Sequence, residues 1–115
     1  MSELISEVTA PDARAVMVIF GGNPHRRHEV LTMIRELGGI TARGALSEEE
    51  GMTLLASLPR VDLVMIGGRY DEEQRARIRA HVRTTLPHAL LTEPGHDYPY
   101  ENEAIVADLR RKLGP

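Results

Sequence analysis

Side chains able to bind a ligand or transfer a proton collect at three places in the sequence. Each place follows a short apolar run, at residues 15–20, 61–66 and 89–92, and the first two runs end on the pairs Gly21-Gly22 and Gly67-Gly68. An apolar run of this length without polar alternation is typical of a strand buried on both faces of a parallel sheet. Because parallel strands end at one edge of the sheet, we expect their loops to share a crevice there.

The residues expected to contact a ligand in that crevice are Gly21, Gly22, Asn23, Arg26, Gly67, Gly68, Arg69, Tyr70, Thr92, His96, Tyr98 and Tyr100. Glycines have no side chain, so a ligand can approach the backbone closely. Helix N-termini and arginine side chains would favour a phosphate or a carboxylate. The alternative is that these residues form ordinary loops without a ligand, because loops collect polar residues in any protein.

Two kinds of chemistry at this edge are weaker hypotheses. His25 and His28, spaced as His-x-x-His, could bind a metal with His96. A histidine could instead act as a general base with a tyrosine as the acid. No nucleophile stands beside these histidines, and His81 and His88 occur without partners, so surface histidines explain the pattern equally well. We predict no catalytic residue, no metal and no cofactor.

The elements that would position these residues repeat as strand–helix units. Asn23 and Pro24 are suited to start a helix after the first strand, and Ser47 with Glu50 forms a capping box for the next. Acidic residues at 71–73 begin a third helix, in which Arg75, Arg77, Arg79 and Arg83 should be solvated. Residues 102–113 should form a fourth helix. Four units predict a single three-layer α/β domain. Its parallel sheet should have four strands, at residues 15–20, 40–46, 61–66 and 89–92. Their order should be 2-1-3-4, with helices on both faces. Residues 1–14 are expected to form an N-terminal arm, and residues 15–115 the domain.

Composition excludes several classes of protein. The chain has 115 residues, no cysteine and a net charge of −3. Disulfide frameworks and thiolate chemistry are therefore excluded, and clustered positive charge for general nucleic-acid binding is not indicated. No apolar run reaches the roughly 18 residues of a membrane span, and the first residues lack a signal peptide's positive start. We therefore expect a cytoplasmic protein that binds neither nucleic acid nor membrane.

Several segments together resemble a response-regulator receiver domain, a flavodoxin-like signalling module. The segments are residues 18–24, 37–39, 44–49, 62–67 and 89–92, and the likeness covers about residues 15–92. The resemblance implies the same fold. It also aligns Gly21, Gly22 and Gly67 with the family's Mg²⁺-binding acids and its phosphoacceptor aspartate. Only Thr92 matches the family's hydroxyl position, and the fifth strand with its lysine has no counterpart. Without those carboxylates, the resemblance implies a pseudo-receiver that is not phosphorylated.

Residues 20–28 also resemble the phosphate-binding segment of cytidylyltransferase-like nucleotidyltransferases. That family uses an HxGH pair, whereas here His25 and His28 flank Arg26 and Arg27 in a loop one residue shorter. The family's later Ser/Thr-rich motif is absent, and the chain is short for that fold. We keep nucleotide binding only as one form of the alternative hypothesis that the protein binds a small molecule or anion.

The leading functional hypothesis is a non-catalytic regulatory domain that docks to a protein partner or to a second copy of itself. Residues 89–92 should form an edge strand without an internal charge or proline to discourage pairing, which favours a homodimer. The alternative hypothesis is a protein that binds a small molecule, nucleotide or other anion, or a small enzyme, using the glycine-pair strand ends. The sequence leaves both hypotheses open.

Overall fold

Each apolar run of the sequence forms a strand in the computed structural model, which describes residues 4–114. The strands are β1 (Glu7–Val8), β2 (Ala15–Phe20), β3 (Ile40–Ala45), β4 (Leu63–Ile66) and β5 (Leu90–Thr92). The helices are α1 (Pro24–Leu37), α2 (Glu48–Ser57), α3 (Glu72–Thr85) and α4 (Asn102–Leu113). Local signals set three of the helix starts: Asn23 and Ser47 cap α1 and α2, and Asp71 forms a capping box with Gln74 at α3.

The sheet has five strands in the order β1-β3-β2-β4-β5. β3, β2, β4 and β5 are parallel, whereas β1 runs antiparallel to β3. The prediction of a four-stranded, wholly parallel sheet of order 2-1-3-4 is therefore wrong in strand number and orientation. The pairings among the four parallel strands are those that the predicted order requires.

The additional strand comes from the segment predicted to be an N-terminal arm. Residues 1–3 of that arm lie outside the described residues, but residues 4–14 pack against the domain. The backbone N–H of Gly44 donates to the carbonyl of Ser6 at 2.8 Å, and the N–H of Ile5 donates to Nδ1 of His28 at 3.0 Å. The strand β1 could not be recognised from the sequence, because it has two residues and Val8 is the one that is buried.

The core is divided by the sheet into two halves. Met17 and Ile19 of β2 pack with α1 and α4, whereas Val18 and Phe20 pack with α2 and α3. Successive strand residues point to opposite faces, so an uninterrupted apolar strand supplies both halves of the core. The two-sided burial gives the three-layer α/β arrangement. Among the described residues, no helix has the length and apolar character needed to cross a membrane.

Candidate functional site

The two glycine pairs lie side by side at the carboxyl edge of the sheet. β2 and β4 pair as far as Phe20 and Ile66, and the N–H of Gly67 then donates to the carbonyl of Phe20 at 2.8 Å. A Cβ built on Gly67 would lie 2.9 Å from that carbonyl oxygen, closer than real side chains allow. Glycine at this position therefore follows from the close approach of two backbones. The same contact would penalise an aspartate where the receiver resemblance aligns one.

A cavity of about 390 Å³ opens beside these strand ends. It lies against the end of β2, the first turns of α1 and the loop after β4. Its predicted lining residues are Gly21, Gly22, Asn23, Arg26, Gly67, Gly68, Arg69 and Tyr100. Its other lining residues are Ile19, Phe20, His25, Arg27, Glu29 and Val30. The volume is within the range of pockets that bind small molecules.

The inner part of the cavity is apolar and its outer part is cationic. Ile19, Phe20 and Val30 are buried core residues that reach its inner surface. Arg26 and Arg69 stand at the outer part. Since apolar surface prefers to be covered and arginine prefers an anionic partner, the arrangement favours a ligand with both features.

The arginines of the cavity differ in how they are held. The guanidinium of Arg26 lies over the Tyr100 ring at 4.7 Å and is 3.5 Å from the carboxylate of Glu29. Arg27 donates to the carbonyl of Gly44 at 3.3 Å, and its Nε is buried without a hydrogen-bond partner among the described residues. The side chain of Arg69 crosses Gly22, where an added Cβ would lie 3.1 Å from its Cδ. Within residues 4–114, the Arg69 guanidinium forms no hydrogen bond or ion pair.

The start of α1 does not offer the free amides that the sequence led us to expect. The side-chain oxygen of Asn23 accepts from the N–H groups of His25 and Arg26 at 2.9 and 3.2 Å. Asn23 thus satisfies the helix end that would otherwise hold an anion. By contrast, the backbone N–H groups of Gly22 and Gly68 donate to no acceptor among residues 4–114. Both residues line the cavity.

Tyr70 has a structural position rather than a place in the cavity. Its ring is buried beside Phe20 in an edge-to-face contact, and its hydroxyl donates to the carbonyl of Gly21 at 2.8 Å. Burial raises the pKa of Tyr70 to about 12, with smaller contributions from the negative charges of Glu48 and Glu50. Tyr70 therefore stays protonated and holds the glycine-pair loop from the α2–α3 face of the sheet.

Thr92 and Tyr98 meet each other away from the cavity. The hydroxyl of Thr92 contacts that of Tyr98 and donates to the carboxylate of Asp108 at 2.6 Å. Burial raises the pKa of Asp108, but hydrogen bonds from Lys112 and Thr92 outweigh it and leave the pKa below its ordinary value. This buried cluster joins β5, α4 and the loop that carries Tyr100. Of the residues predicted in that loop, Tyr100 is the one that lines the cavity.

The histidines are not gathered into one metal site, so the three-histidine hypothesis is wrong. His28 accepts the N–H of Ile5, and His96 lies beside Glu93 and Asp97 instead. Among the described residues, Glu93, His96 and Asp97 are the group whose ligand atoms come close enough to hold a metal. Both oxygens of Glu93 already accept from arginines, which neutralise its charge.

The residues that position the loop after β4 were missed by the sequence analysis. Arg75 of α3, expected to be solvated, is buried and donates to the carbonyls of Tyr70 and Gly67 at 3.0 and 2.9 Å. It also forms a 2.8 Å ion pair with buried Glu93. Burial raises the pKa of Glu93, but hydrogen bonds from Arg79 and Arg75 lower it below its ordinary value. A glutamate directly after a strand, with an arginine on the preceding helix, was the available signal.

Comparison of the chain with protein-family models, with curated proteins and with solved structures finds no match. The candidate site is therefore interpreted from its own geometry.

Proposed function

We propose that the protein is a non-catalytic binding domain whose cavity takes a small ligand with an anionic group and an apolar part. The observation that best supports this proposal is the unpaired side chain of Arg69 at the cavity. This side chain lines the cavity with Cδ against Gly22, and its guanidinium has no protein partner in the described part of the chain. An exposed arginine held over bare backbone is free to form the paired hydrogen bonds that carboxylates and phosphates accept.

The apolar part of the ligand follows from the rest of the lining. Ile19 and Val30 would contact a hydrophobic group, and Tyr100 stands on the side where Arg26 stacks. Glu29 is the acidic residue of the lining, and Arg26 lies within 3.5 Å of it. The net charge of the cavity wall therefore favours an anion. A nucleophile or catalytic carboxylate is not needed for this function.

A regulatory role is consistent with the binding function and remains part of the proposal. The resemblance to receiver domains suggests a signalling module in which ligand binding replaces phosphorylation. A protein contact on β5 is favoured by Leu90, whose exposed fraction is 42%. The homodimer through the β5 edge stays a prediction. One acceptor of that edge is already used, because Nζ of Lys112 donates to the carbonyl of Leu91 at 2.7 Å, which disfavours backbone pairing there.

Calorimetric titration with phenyl phosphate, inorganic phosphate and benzyl alcohol tests the binding proposal. Phenyl phosphate should bind most tightly because it alone has both features. At 100-fold its dissociation constant it should stabilise the fold by about 2.7 kcal/mol, which thermal unfolding detects. Arg69→Ala should weaken phenyl phosphate by about 10- to 100-fold, since a hydrogen bond to a charged group contributes about 1.5–3 kcal/mol.

Arg83→Ala provides the matched control, because Arg83 is an exposed arginine in the last turn of α3 and outside the cavity. It should leave the dissociation constant of phenyl phosphate unchanged. The proposal is refuted if phenyl phosphate does not bind, or if Arg69→Ala and Arg83→Ala bind it equally well.

A further inference from the structure

A groove of about 700 Å³ lies between residues 28–36 of α1 and residues 102–110 of α4. Both helices pack on one side of the sheet, over the half of the core that contains Met17 and Ile19. Glu29 is the residue that lines both this α1–α4 groove and the cavity at the strand ends. The α1–α4 groove is therefore a second surface, and what it binds does not depend on the ligand proposed for the cavity.

The base of the α1–α4 groove is apolar. Met33 of α1 and Val106 of α4 are half-buried, and Ala107 of α4 is exposed beside them. Met33 also packs against the hydrophobic core, so the base continues the apolar interior outward between the two helices. Apolar surface in a concave site gains free energy when a partner covers it, and the flexible side chain of methionine adapts to the shape of that partner.

The rim of the α1–α4 groove is acidic. Its charged groups are the carboxylates of Glu29, Glu36 and Glu103 and the guanidinium of Arg110. Glu29 lies 3.5 Å from Arg26, whereas the carboxylates of Glu36 and Glu103 form no hydrogen bond or ion pair within residues 4–114. Negative charge that is not compensated at the border of an apolar surface favours a positively charged partner and disfavours nucleic acids and anionic lipids.

The walls of the groove favour a helical partner over an extended one. Along their length, α1 and α4 satisfy their own backbone hydrogen bonds, so they offer no N–H or carbonyl group to an extended peptide. An extended peptide on the apolar base would leave its own backbone groups without partners. A helix brings its backbone hydrogen bonds with it and presents apolar residues at positions i, i+3, i+4 and i+7 along one face.

The spacing of the acidic residues matches the period of a helix. Glu29 and Glu36 are seven residues apart on α1, which places them two turns, or roughly 10 Å, apart along its axis. Basic residues seven positions apart on an incoming helix repeat the same distance. We propose that the α1–α4 groove binds an amphipathic helix of a partner protein, with an apolar stripe on the groove base and lysine or arginine residues beside Glu36 and Glu103.

A designed peptide tests this proposal without knowledge of the natural partner. The probe has about 18 residues of alanine, leucine and lysine, with leucines at helical spacing and lysines beside them, a length at which an isolated helix can form. A scrambled peptide of the same composition has the same charge but no apolar stripe. Fluorescence anisotropy of the labelled peptides should give a dissociation constant at least 10-fold lower for the patterned peptide.

Two variants place the peptide in the α1–α4 groove. Glu36→Lys combined with Glu103→Lys should weaken the patterned peptide at least 10-fold, because two attractive charge pairs become repulsive. Ala107→Trp changes no charge and fills the apolar base from an exposed position, so it should also weaken the peptide at least 10-fold. Glu29 is left unchanged in both variants, so neither alters the lining of the cavity.

The charge-matched control is Glu49→Lys combined with Glu73→Lys. Both glutamates are exposed on α2 and α3, on the opposite side of the sheet, and neither forms an ion pair among the described residues. This control should bind the patterned peptide within about 2-fold of the unmodified protein. The proposal is overturned if the two peptides bind equally, if the groove variants bind as the control does, or if the patterned peptide does not bind. Self-association that the groove variants abolish would assign the groove to a second copy of the chain and would also overturn it.

Discussion

Replacing Glu93 by glutamine tests the buried ion pair that fixes the loop beside the candidate site. Arg75 and Glu93 have side chains that are 5% and 6% exposed, and their charged atoms are 2.8 Å apart. Glutamine has nearly the same shape, so the change removes charge without creating a cavity. Arg75 would keep its bonds to the carbonyls of Tyr70 and Gly67 but would lose its only anionic partner in the described structure.

The expected loss is large relative to the stability of a small domain. Removing one member of a buried pair costs about 3–5 kcal/mol, because the remaining charge stays buried without compensation. Arg79 also loses bonds to Glu93, but it is partly exposed and retains a 2.8 Å ion pair with Glu72. We therefore assign most of the loss to Arg75. The free energy of unfolding of a typical domain is about 5–15 kcal/mol, so the variant should be folded but clearly less stable.

Urea unfolding at pH 7, followed by circular dichroism, measures this loss. Glu72→Gln is the matched control, because it removes a carboxylate from the same Arg79 where the glutamate side chain is 67% exposed. An exposed ion pair contributes about 0–1 kcal/mol, so the control should stay close to the unmodified protein. Equal unfolding free energies for the two variants would refute the argument from burial.

The pH dependence gives a second check on the same pair. The pKa of Glu93 is lowered from its ordinary value of 4.5 in the folded protein. A group of this kind stabilises the fold above its unfolded pKa, and the stabilisation is lost as pH falls through the folded pKa. The stability difference between the unmodified protein and Glu93→Gln should be constant near neutrality and shrink below about pH 4.5. A difference that grows on acidification would contradict the assignment.

Two further predictions concern packing and the sheet edge. Gly51→Ala should cost about 1–3 kcal/mol in urea unfolding, because its added Cβ would overlap the ring of buried Phe20. An unchanged midpoint would contradict this. Lys112→Met should increase self-association in light scattering, because it uncovers the Leu91 carbonyl at the β5 edge. Arg111→Met is the control, because Arg111 and Lys112 both contact the carboxylate of Asp108 and the loss of Arg111 leaves the Leu91 carbonyl covered. Equal scattering by the two variants would contradict the covering role.

Much of the architecture is encoded locally in the sequence. The run at 15–20 consists only of apolar residues, so it had to be a strand with both faces covered, and β2 is buried along nearly its whole length. Ser47 and Asp71 stand at the helix starts that their side chains stabilise. The same local rules also placed Gly21 and Gly67 at one edge, since parallel neighbouring strands end together.

The sheet edges and the buried charges depended on contacts distant in sequence. β1 exists because residues 7–8 meet β3 more than thirty positions later, and no periodicity can be recognised in two residues. Arg75 was expected to be solvated like the other arginines of α3, because its spacing in the sequence does not reveal the ion pair that it forms with Glu93. Lys112 covers β5 from α4, so that strand's own sequence gave no sign of the protection.

The sequence by itself determined the α/β class, most helix starts and the meeting of two glycine-ended strands, because these follow from side-chain size, periodicity and capping over a few neighbouring residues. The tertiary structure decided which polar residues share a compartment. It separated Thr92, His96 and Tyr98 from the cavity, brought Tyr100 to it and laid Arg69 over Gly22. Loop residues acquire their neighbours from the path of the chain, and that path is set by the packing of the whole sheet.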